Sequence, residues 1–286
     1  MNARINGKTK MYAVIGNPIS HSLSPVIHNS FFDRKGLNSI YVPLKIEETD
    51  LAQGLLMLRT NFQGFNVTIP HKEAIIPYLD EVHEIARRYG AVNTVQVVDG
   101  KLIGYNTDGF GFLKSLRDVE INVQEKKVLL LGAGGSARVV AYEILQAGGI
   151  LTIAIRNPMK GIQLKEELEA GTGCSVNLMK LEDVTEAFDC VINSTPVGMY
   201  PEIEVSPISQ EILEGAELVY DLIYNPYQTK LLHMAEQQGC KAINGLPMLV
   251  YQALKSLEIW TGEKLSVEEE KALYKEVETY FLNSIR

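Results

Sequence analysis

The stretch Lys127-Val128-Leu129-Leu130-Leu131-Gly132-Ala133-Gly134-Gly135-Ser136-Ala137, followed by the helical pattern Arg138 to Gln146, constrains this chain more than any other part. An apolar strand that runs through a glycine turn into a helix opens a parallel α/β unit, and it is the setting in which such glycines bind a dinucleotide. Gly132 permits the tight turn, Gly134 lets backbone N–H groups approach a pyrophosphate, and Ala137 stands where a third glycine would let helix and strand meet closely. With Ala133, Gly135 and Ser136 they form a candidate phosphate cradle, at a helix start whose unpaired N–H groups and partial positive charge favour an anion. The same turn also serves as a plain strand–helix connector.

The next strand bears on that choice. Leu151 to Ile155 is apolar and β-branched, and it ends in Arg156-Asn157-Pro158-Met159-Lys160. An NAD-selective site places Asp or Glu here, roughly 20 residues past the glycines, on the ribose 2′-hydroxyl. This chain has Arg156 and Lys160 instead, and cations suit a 2′-phosphate. NADP(H) is therefore the expected cofactor; the alternative for Arg156 is a solvated cation at a strand end.

A length of 286 residues suits two domains. Hydrophobic content of 46% with 22% charged residues allows a sizeable core, and a net charge of −8 argues against nucleic acid or an anionic membrane as partner. No apolar run reaches the length of a membrane span and no signal-peptide pattern appears, so a cytoplasmic chain is expected. Cys174, Cys190 and Cys240 are odd in number, widely spaced and lack a CxxC pair, which suggests buried thiols in a reducing compartment. The five His are scattered without ligand spacing, and no metal is expected.

Met1 to Lys10 is polar and reads as lying ahead of the first element. Strands are expected at Met11 to Ile15, Ile40 to Leu44 and Phe65 to Ile69. Helices are expected from Ser24-Pro25 to about Lys35, over Leu51 to Asn61 with Asp50 as N-cap, and over most of Lys72 to Arg88. Val92 to Val97 and Lys101 to Tyr105 flank Asp99-Gly100, a hairpin signal. From Phe110 a helix leads into the glycine-turn region, whose strands continue at Cys190 to Asn193, Leu218 to Asp221 and near Lys241 to Asn244. A helix over Met248 to Thr261 follows, and Ser266-Val267-Glu268-Glu269 forms a capping box for a last helix to Ser284. Strands alternating with helices imply an α/β fold with a mainly parallel sheet, the hairpin being its antiparallel part.

In open α/β sheets ligands lie beyond the carboxyl ends of strands. Ser22 and Ser24 stand there as hydroxyl donors suited to a carboxylate, or Ser24 simply caps its helix. Asn66 and Thr68 alternate on the third strand and share a face, with Lys72 just beyond Pro70; Asn93-Thr94 and Asn106-Thr107-Asp108-Gly109 bracket the hairpin. Together they describe a polar pocket with one cation and one carboxylate. Reduction of a ketone needs an acid at the carbonyl oxygen, and Lys72 held by Asp108 fits that role. An exposed lysine at a helix start is the other reading of Lys72. Met248 and Gln252 are i and i+4 on one helix face, suited to a nicotinamide and a substrate hydroxyl, or equally to core packing.

These segments, in order over nearly the whole chain, resemble the shikimate dehydrogenase family. The matching segments are Gly16-Asn17-Pro18-Ile19-Ser20-His21-Ser22-Leu23-Ser24-Pro25 with His28-Asn29, Asn66-Val67-Thr68-Ile69-Pro70-His71-Lys72, Gly90-Ala91-Val92-Asn93-Thr94 and Gly104-Tyr105-Asn106-Thr107-Asp108-Gly109. Later matches are Asn193-Ser194-Thr195-Pro196-Val197-Gly198-Met199, Asp221-Leu222-Ile223-Tyr224-Asn225-Pro226, and Gly245 to Gln252 continuing to Trp260-Thr261-Gly262.

The resemblance implies reversible NADPH-dependent reduction of 3-dehydroshikimate to shikimate, a step of aromatic biosynthesis. It carries over Lys72 and Asp108 as the catalytic pair and Ser22, Ser24, Thr68, Asn93, Tyr224 and Gln252 as substrate contacts. The cofactor contacts are Gly132 to Ala137, Arg156, Lys160, Thr195, Gly245 and Met248. It further implies a substrate-binding catalytic domain over 1–109, a Rossmann-type NADP domain over 110–244, and C-terminal helices over 245–286 that return to the first domain, with the active site in the cleft between domains. Two departures stand out: Arg156-Asn157 with Lys160 replaces the usual Asn-Arg-Thr followed by Arg, and Pro247 sits where a second glycine is common. Rival readings are a quinate/shikimate dehydrogenase using NAD or both cofactors, against which Ser24 in place of Thr leans, and a non-catalytic ligand sensor, against which the retained Lys72 and Asp108 argue. The expected partner is the small-molecule substrate, and a homodimer is left open.

Overall fold

The structure, a computed structural model, describes residues 5–284; Met1 to Arg4 and the last two residues lie outside the described residues. The chain divides into two compact units, one running up to Phe110 and resuming at Val250, the other Gly111–Leu249.

The first unit runs β1 (Lys10–Gly16), α1 (Ser24–Arg34), β2 (Ser39–Lys45), α2 (Leu51–Asn61), β3 (Gly64–Val67), α3 (His71–Ala74), β4 (Glu81–Val82), α4 (Glu84–Tyr89), β5 (Thr94–Val98) and β6 (Lys101–Tyr105). Its sheet has the order β2-β1-β3-β5-β6-β4. β1 pairs in parallel with both β2 and β3, β4 pairs in parallel with β6, and β5 alone runs against its neighbours. The β5–β6 hairpin turns at Asp99 and Gly100 with φ of 50° and 74°, the two positive values that a tight primed turn needs. Because the order reverses at β1, the segments after β1 and β3 flank a switch point, where an open sheet leaves a crevice for a ligand.

Alternation along these strands builds a core on each face. Ala13, Ile15, Phe65, Val67 and Val95 pack with Leu51, Leu55 and Leu58 of α2. On the other side Tyr12 meets Phe32 of α1 and Trp260. Gly64 leaves room for that indole: an added Cβ would strike Trp260 Nε1, which donates to the Val95 carbonyl at 2.9 Å. His28 lies fully buried and stacked on Tyr41, with 4.0 Å between ring centroids.

α5 (Asp108–Asp118) leads into the second unit, which runs β7 (Lys127–Leu131), α6 (Gly135–Gln146), β8 (Ile150–Ile155), α7 (Pro158–Thr172), β9 (Asn177–Lys180), β10 (Cys190–Asn193), β11 (Leu218–Asp221), α8 (Lys230–Gln237) and β12 (Lys241–Ile243). All its ladders are parallel, in the order β12-β11-β10-β7-β8-β9. This is the doubly wound dinucleotide-binding arrangement, reversing between β7 and β10. Both faces of its central strands are covered, which is why Val128 to Leu131 reads as continuously apolar. α9 (Leu246–Thr261) returns the chain to the first unit, and α10 (Val267–Ser284) ends it. The capping box forms as expected: Ser266 donates its N–H to Glu269 Oε2 at 2.7 Å and its hydroxyl accepts the Glu269 N–H at 3.2 Å.

The structure departs from the sequence reading in several places. Lys72 to Arg88 is not mostly helix: α3 ends at Ala74, a 3-10 turn covers Ile76–Tyr78, β4 follows, and α4 is short. Pro77 lacks a donor and disfavours helix before it, so the chain turns out to pair with β6. Asp50 does take the N-cap position of α2, but its side chain makes no capping hydrogen bond, because a 3-10 turn over Glu48–Asp50 feeds the helix directly. β9, an edge strand, goes unmarked in the sequence. Cys190 and Cys240 are buried free thiols, but Cys174 is only half-buried.

Candidate active site and nucleotide cradle

The elements of the first unit bring one ion pair to their strand ends. Lys72 lies on α3, and its carbonyl accepts the Val92 N–H at 2.8 Å, tying this single turn to the start of the hairpin. Asp108 opens α5, and its N–H is held by Asn106 Oδ1 at 2.9 Å. The Lys72 ammonium donates to Asp108 Oδ2 at 2.7 Å, with side chains 28% and 11% exposed. Asn93, just before β5, donates through Nδ2 to Asp108 Oδ1 at 2.8 Å. Gln252 of α9 brings Oε1 to 3.3 Å from that same Asn93 nitrogen. Four of the residues singled out in the sequence thus form one connected cluster.

Around them stand hydroxyls. Thr107 is within 3.4 Å of Gln252 Oε1 and within 3.0 Å of Asn93 Nδ2. Thr68 falls one residue past β3, not on it, and its N–H donates to the Ile15 carbonyl at 2.9 Å. Ser22 accepts the Ser24 N–H at 3.2 Å. Leu23, not Ser24, occupies the N-cap of α1, and no side chain caps that helix, so capping does not account for Ser24. Ser24 is buried instead, close to the phenol of Tyr41, whose pKa burial drives far up. Sequence reasoning passed over Tyr41 and Ser256; the available signal was that Ser256 follows Gln252 by one helical turn, on the same face.

In the second unit Gly132 has φ of +107°, a conformation that favours glycine, and Ala137 is fully buried where helix meets strand. A Cβ at Gly134 or Gly135 would meet nothing within 4 Å, and α6 has no side-chain cap. Exposed Gly134, Gly135 and Ser136 therefore surround a helix N-terminus open to an anion. Arg156 and Lys160 are exposed, and neither pairs with a carboxylate among the described residues. Arg156 lines a cavity of about 570 Å³ with Ile155, Lys180, Leu181, Val184 and Ile208.

The strand ends beyond the glycine turn interlock. Asn193 Nδ2 donates to Asp221 Oδ1 at 3.0 Å, the Thr195 hydroxyl donates to Asn193 Oδ1 at 2.7 Å, and Thr229 donates to Asp221 Oδ2 at 2.7 Å. Burial pushes the Asp221 carboxyl up to about 6 against these donors. Gly245 packs directly on the Leu222 carbonyl, leaving no room for a Cβ, while Tyr224 and Met248 are half-buried nearby in sequence. A nicotinamide dinucleotide fits such residues: an open glycine cradle, unpaired cations one strand over, and an adjoining cavity.

Three family models match the chain: the shikimate dehydrogenase substrate binding domain over residues 14–95, shikimate / quinate 5-dehydrogenase over 115–202, and the shikimate 5′-dehydrogenase C-terminal domain over 245–269. Shikimate dehydrogenase (NADP+) of Moorella thermoacetica is 43% identical over 272 residues, 92% of each chain. The chain belongs to the shikimate dehydrogenase family. A shikimate dehydrogenase solved in complex with NADP+ superposes with a TM-score of 0.90 at 40% identity, covering 95% of this chain and 96% of that one. The shikimate dehydrogenase of Thermus thermophilus, solved with NADP(H) and shikimate, gives 0.84 at 34% identity over 94% and 99%. The two-unit α/β architecture with C-terminal helices is thus that of shikimate dehydrogenases.

Proposed function

We propose that this chain catalyses the reversible, NADPH-dependent reduction of 3-dehydroshikimate to shikimate. The observation that carries the reading is the Lys72–Asp108 pair at 2.7 Å, with Asn93 and Gln252 joined to it at the strand ends of the first unit.

NADPH supplies the hydride when bound, and Gly132, Ala133, Gly134, Gly135, Ser136 and Ala137 would hold its pyrophosphate. Arg156 and Lys160 would hold the 2′-phosphate, and Thr195, Gly245 and Met248 would line the nicotinamide side. As the substrate carbonyl is reduced, its oxygen gathers negative charge and needs a proton. Lys72 Nζ delivers that proton and is recharged from solvent, to which it is partly open. Asp108 remains a carboxylate throughout: it aims the ammonium and steadies its charge. Asn93 fixes the other carboxylate oxygen, so Asp108 keeps a partner when Lys72 gives up its proton. Ser22 and Ser24 offer hydroxyls to the substrate carboxylate, while Thr68, Gln252 and Tyr224 complete the ring contacts.

Initial rates with shikimate and with quinate, each against NADP+ and NAD+, test the assignment. Shikimate with NADP+ is expected to be the preferred pair. Preference for quinate, or absence of turnover despite ligand binding, would refute it.

A further inference from the structure

Two backbone groups settle how two buried amides beside the ion pair are turned. Thr107 donates its backbone N–H to one terminal atom of the Asn93 amide at 2.9 Å. That atom is therefore oxygen, and the atom 2.8 Å from Asp108 Oδ1 is Nδ2. Asn66 brings an amide atom to 3.1 Å from the Asn93 carbonyl, which can only accept. That atom is nitrogen, so Asn66 Oδ1 faces Tyr41, whose phenol donates to it at 2.7 Å.

The hydroxyls between these amides follow. Asn66 Nδ2 lies 3.0 Å from Thr94 Oγ1 and 3.0 Å from Ser256 Oγ. Thr94 Oγ1 is 2.9 Å from Asn93 Oδ1, which has no hydrogen, so Thr94 donates there. Its only hydrogen is then spent, so the hydrogen in the 2.7 Å contact with Ser256 comes from Ser256, whose hydroxyl also lies 3.0 Å from the Gln252 carbonyl and favours the shorter contact. The donors run one way, from Tyr41 through Asn66, Ser256, Thr94 and Asn93 to Asp108. Every member is buried, with 8% exposure at most. In such a place each bond polarises the next, and an unmade one costs its full desolvation.

We propose that Thr94 is a positioning residue for the Lys72–Asp108 pair. Its hydroxyl, backed by Asn66 and Ser256, joins the Thr107 N–H on Asn93 Oδ1 and so helps to keep the Asn93 amide turned with an N–H and not a carbonyl towards Asp108. A flipped amide would set two acceptors against each other at Asp108 and two donors at Thr107. Thr94 sits directly opposite Asn66 in the β3–β5 ladder, so the backbone register places this hydroxyl between the two amides. A strand position that only needed filling would accept valine, which has the same shape and higher strand preference. The inference rests on the reading of Lys72 and Asp108 as the proton-transfer pair.

The test compares Thr94→Val and Thr94→Ser in the full chain, with shikimate and NADP+. Thr94→Val is expected to lower kcat about tenfold, the worth of one buried hydrogen bond. The solvent deuterium isotope effect on kcat should rise as proton transfer becomes slower, with the KM for NADP+ unchanged. Thr94→Ser should return both quantities towards the parent. A parent-like kcat in Thr94→Val would overturn the proposal, as would equal losses in both variants with an unaltered isotope effect, which mark a packing defect. Should Thr94→Val not fold, Ser256→Ala removes the donor behind Thr94 without touching β5. It should raise the isotope effect in the same direction, and an unchanged effect refutes the role. A parent chain that does not reduce NADP+ with shikimate would refute the functional reading itself, and the positioning role with it.

Discussion

Replacing Lys72 by Met keeps the bulk of the side chain and removes only the charge and the proton. The structure predicts that activity and stability respond very unequally. The side chain of Lys72 is 28% exposed and that of Asp108 11%, so their pair lies between a surface ion pair and a buried one, and its loss should cost about 1–2 kcal/mol. Asp108 is not left orphaned, since Asn93 still donates to its other oxygen at 2.8 Å. The expected fall in Tm is about 2–8 °C. A positioned acid contributes about 10²–10⁴ to the rate, which is roughly 3–5 kcal/mol of barrier. Nicotinamide absorbance under saturating shikimate and NADP+, paired with thermal unfolding, reads both quantities. kcat should drop by that factor while KM moves little. A large rise in KM with kcat nearly intact would refute the reasoning and make Lys72 a binding cation.

Arg156→Ala should raise the KM for NADP+ by about 10–100-fold, the worth of a charge-assisted contact, and leave NAD+ use and Tm alone because Arg156 is exposed and pairs with no carboxylate among the described residues; equal losses with both cofactors would refute it. Ser24→Ala should weaken shikimate binding by about 1–3 kcal/mol without the loss of a helix cap, measurable as a KM change at constant KM for NADP+; unchanged shikimate kinetics would argue against a carboxylate contact. Burial lowers the His28 pKa to about 3, so the folded state holds this ring neutral. Its contribution is complete above the unfolded value of about 6.5 and is lost as pH falls towards 3, at about 1.4 kcal/mol per pH unit. Urea unfolding from pH 7 to 4 should show that slope, and His28→Phe should flatten it.

The legible parts of this fold were those where local chemistry and tertiary demand agree. The strand–glycine–helix passage at Leu131 to Ala137, the Asp99-Gly100 turn and the Ser266 capping box each carry their geometry in the residues themselves. Lys72 to Arg88 does not: its apolar spacing suits a helix, but Pro77 breaks it, and a two-residue strand forms only because β6 is there to pair with. β9 likewise exists because β8 offers it an edge. Within the site, Lys72, Asp108, Asn93 and Gln252 were recognisable by type and order. Tyr41 and Ser256 were not, because a tyrosine on a strand and a serine in a helix become part of the polar network only when distant elements pack together.

The first unit has its sheet in the opening part of the chain, yet Trp260, which fills the space over Gly64, and Ser256, which bonds Thr94, arrive near the end. The second unit is continuous from Gly111 to Leu249. On the ribosome, therefore, the first-made sheet emerges with an empty socket and an unfinished polar cluster, and must wait. The later-made unit has all of its residues once Leu249 is made, before the first unit has its closing helices, and can fold as a body of its own. The order in which the two units close is the reverse of the order in which their strands are made.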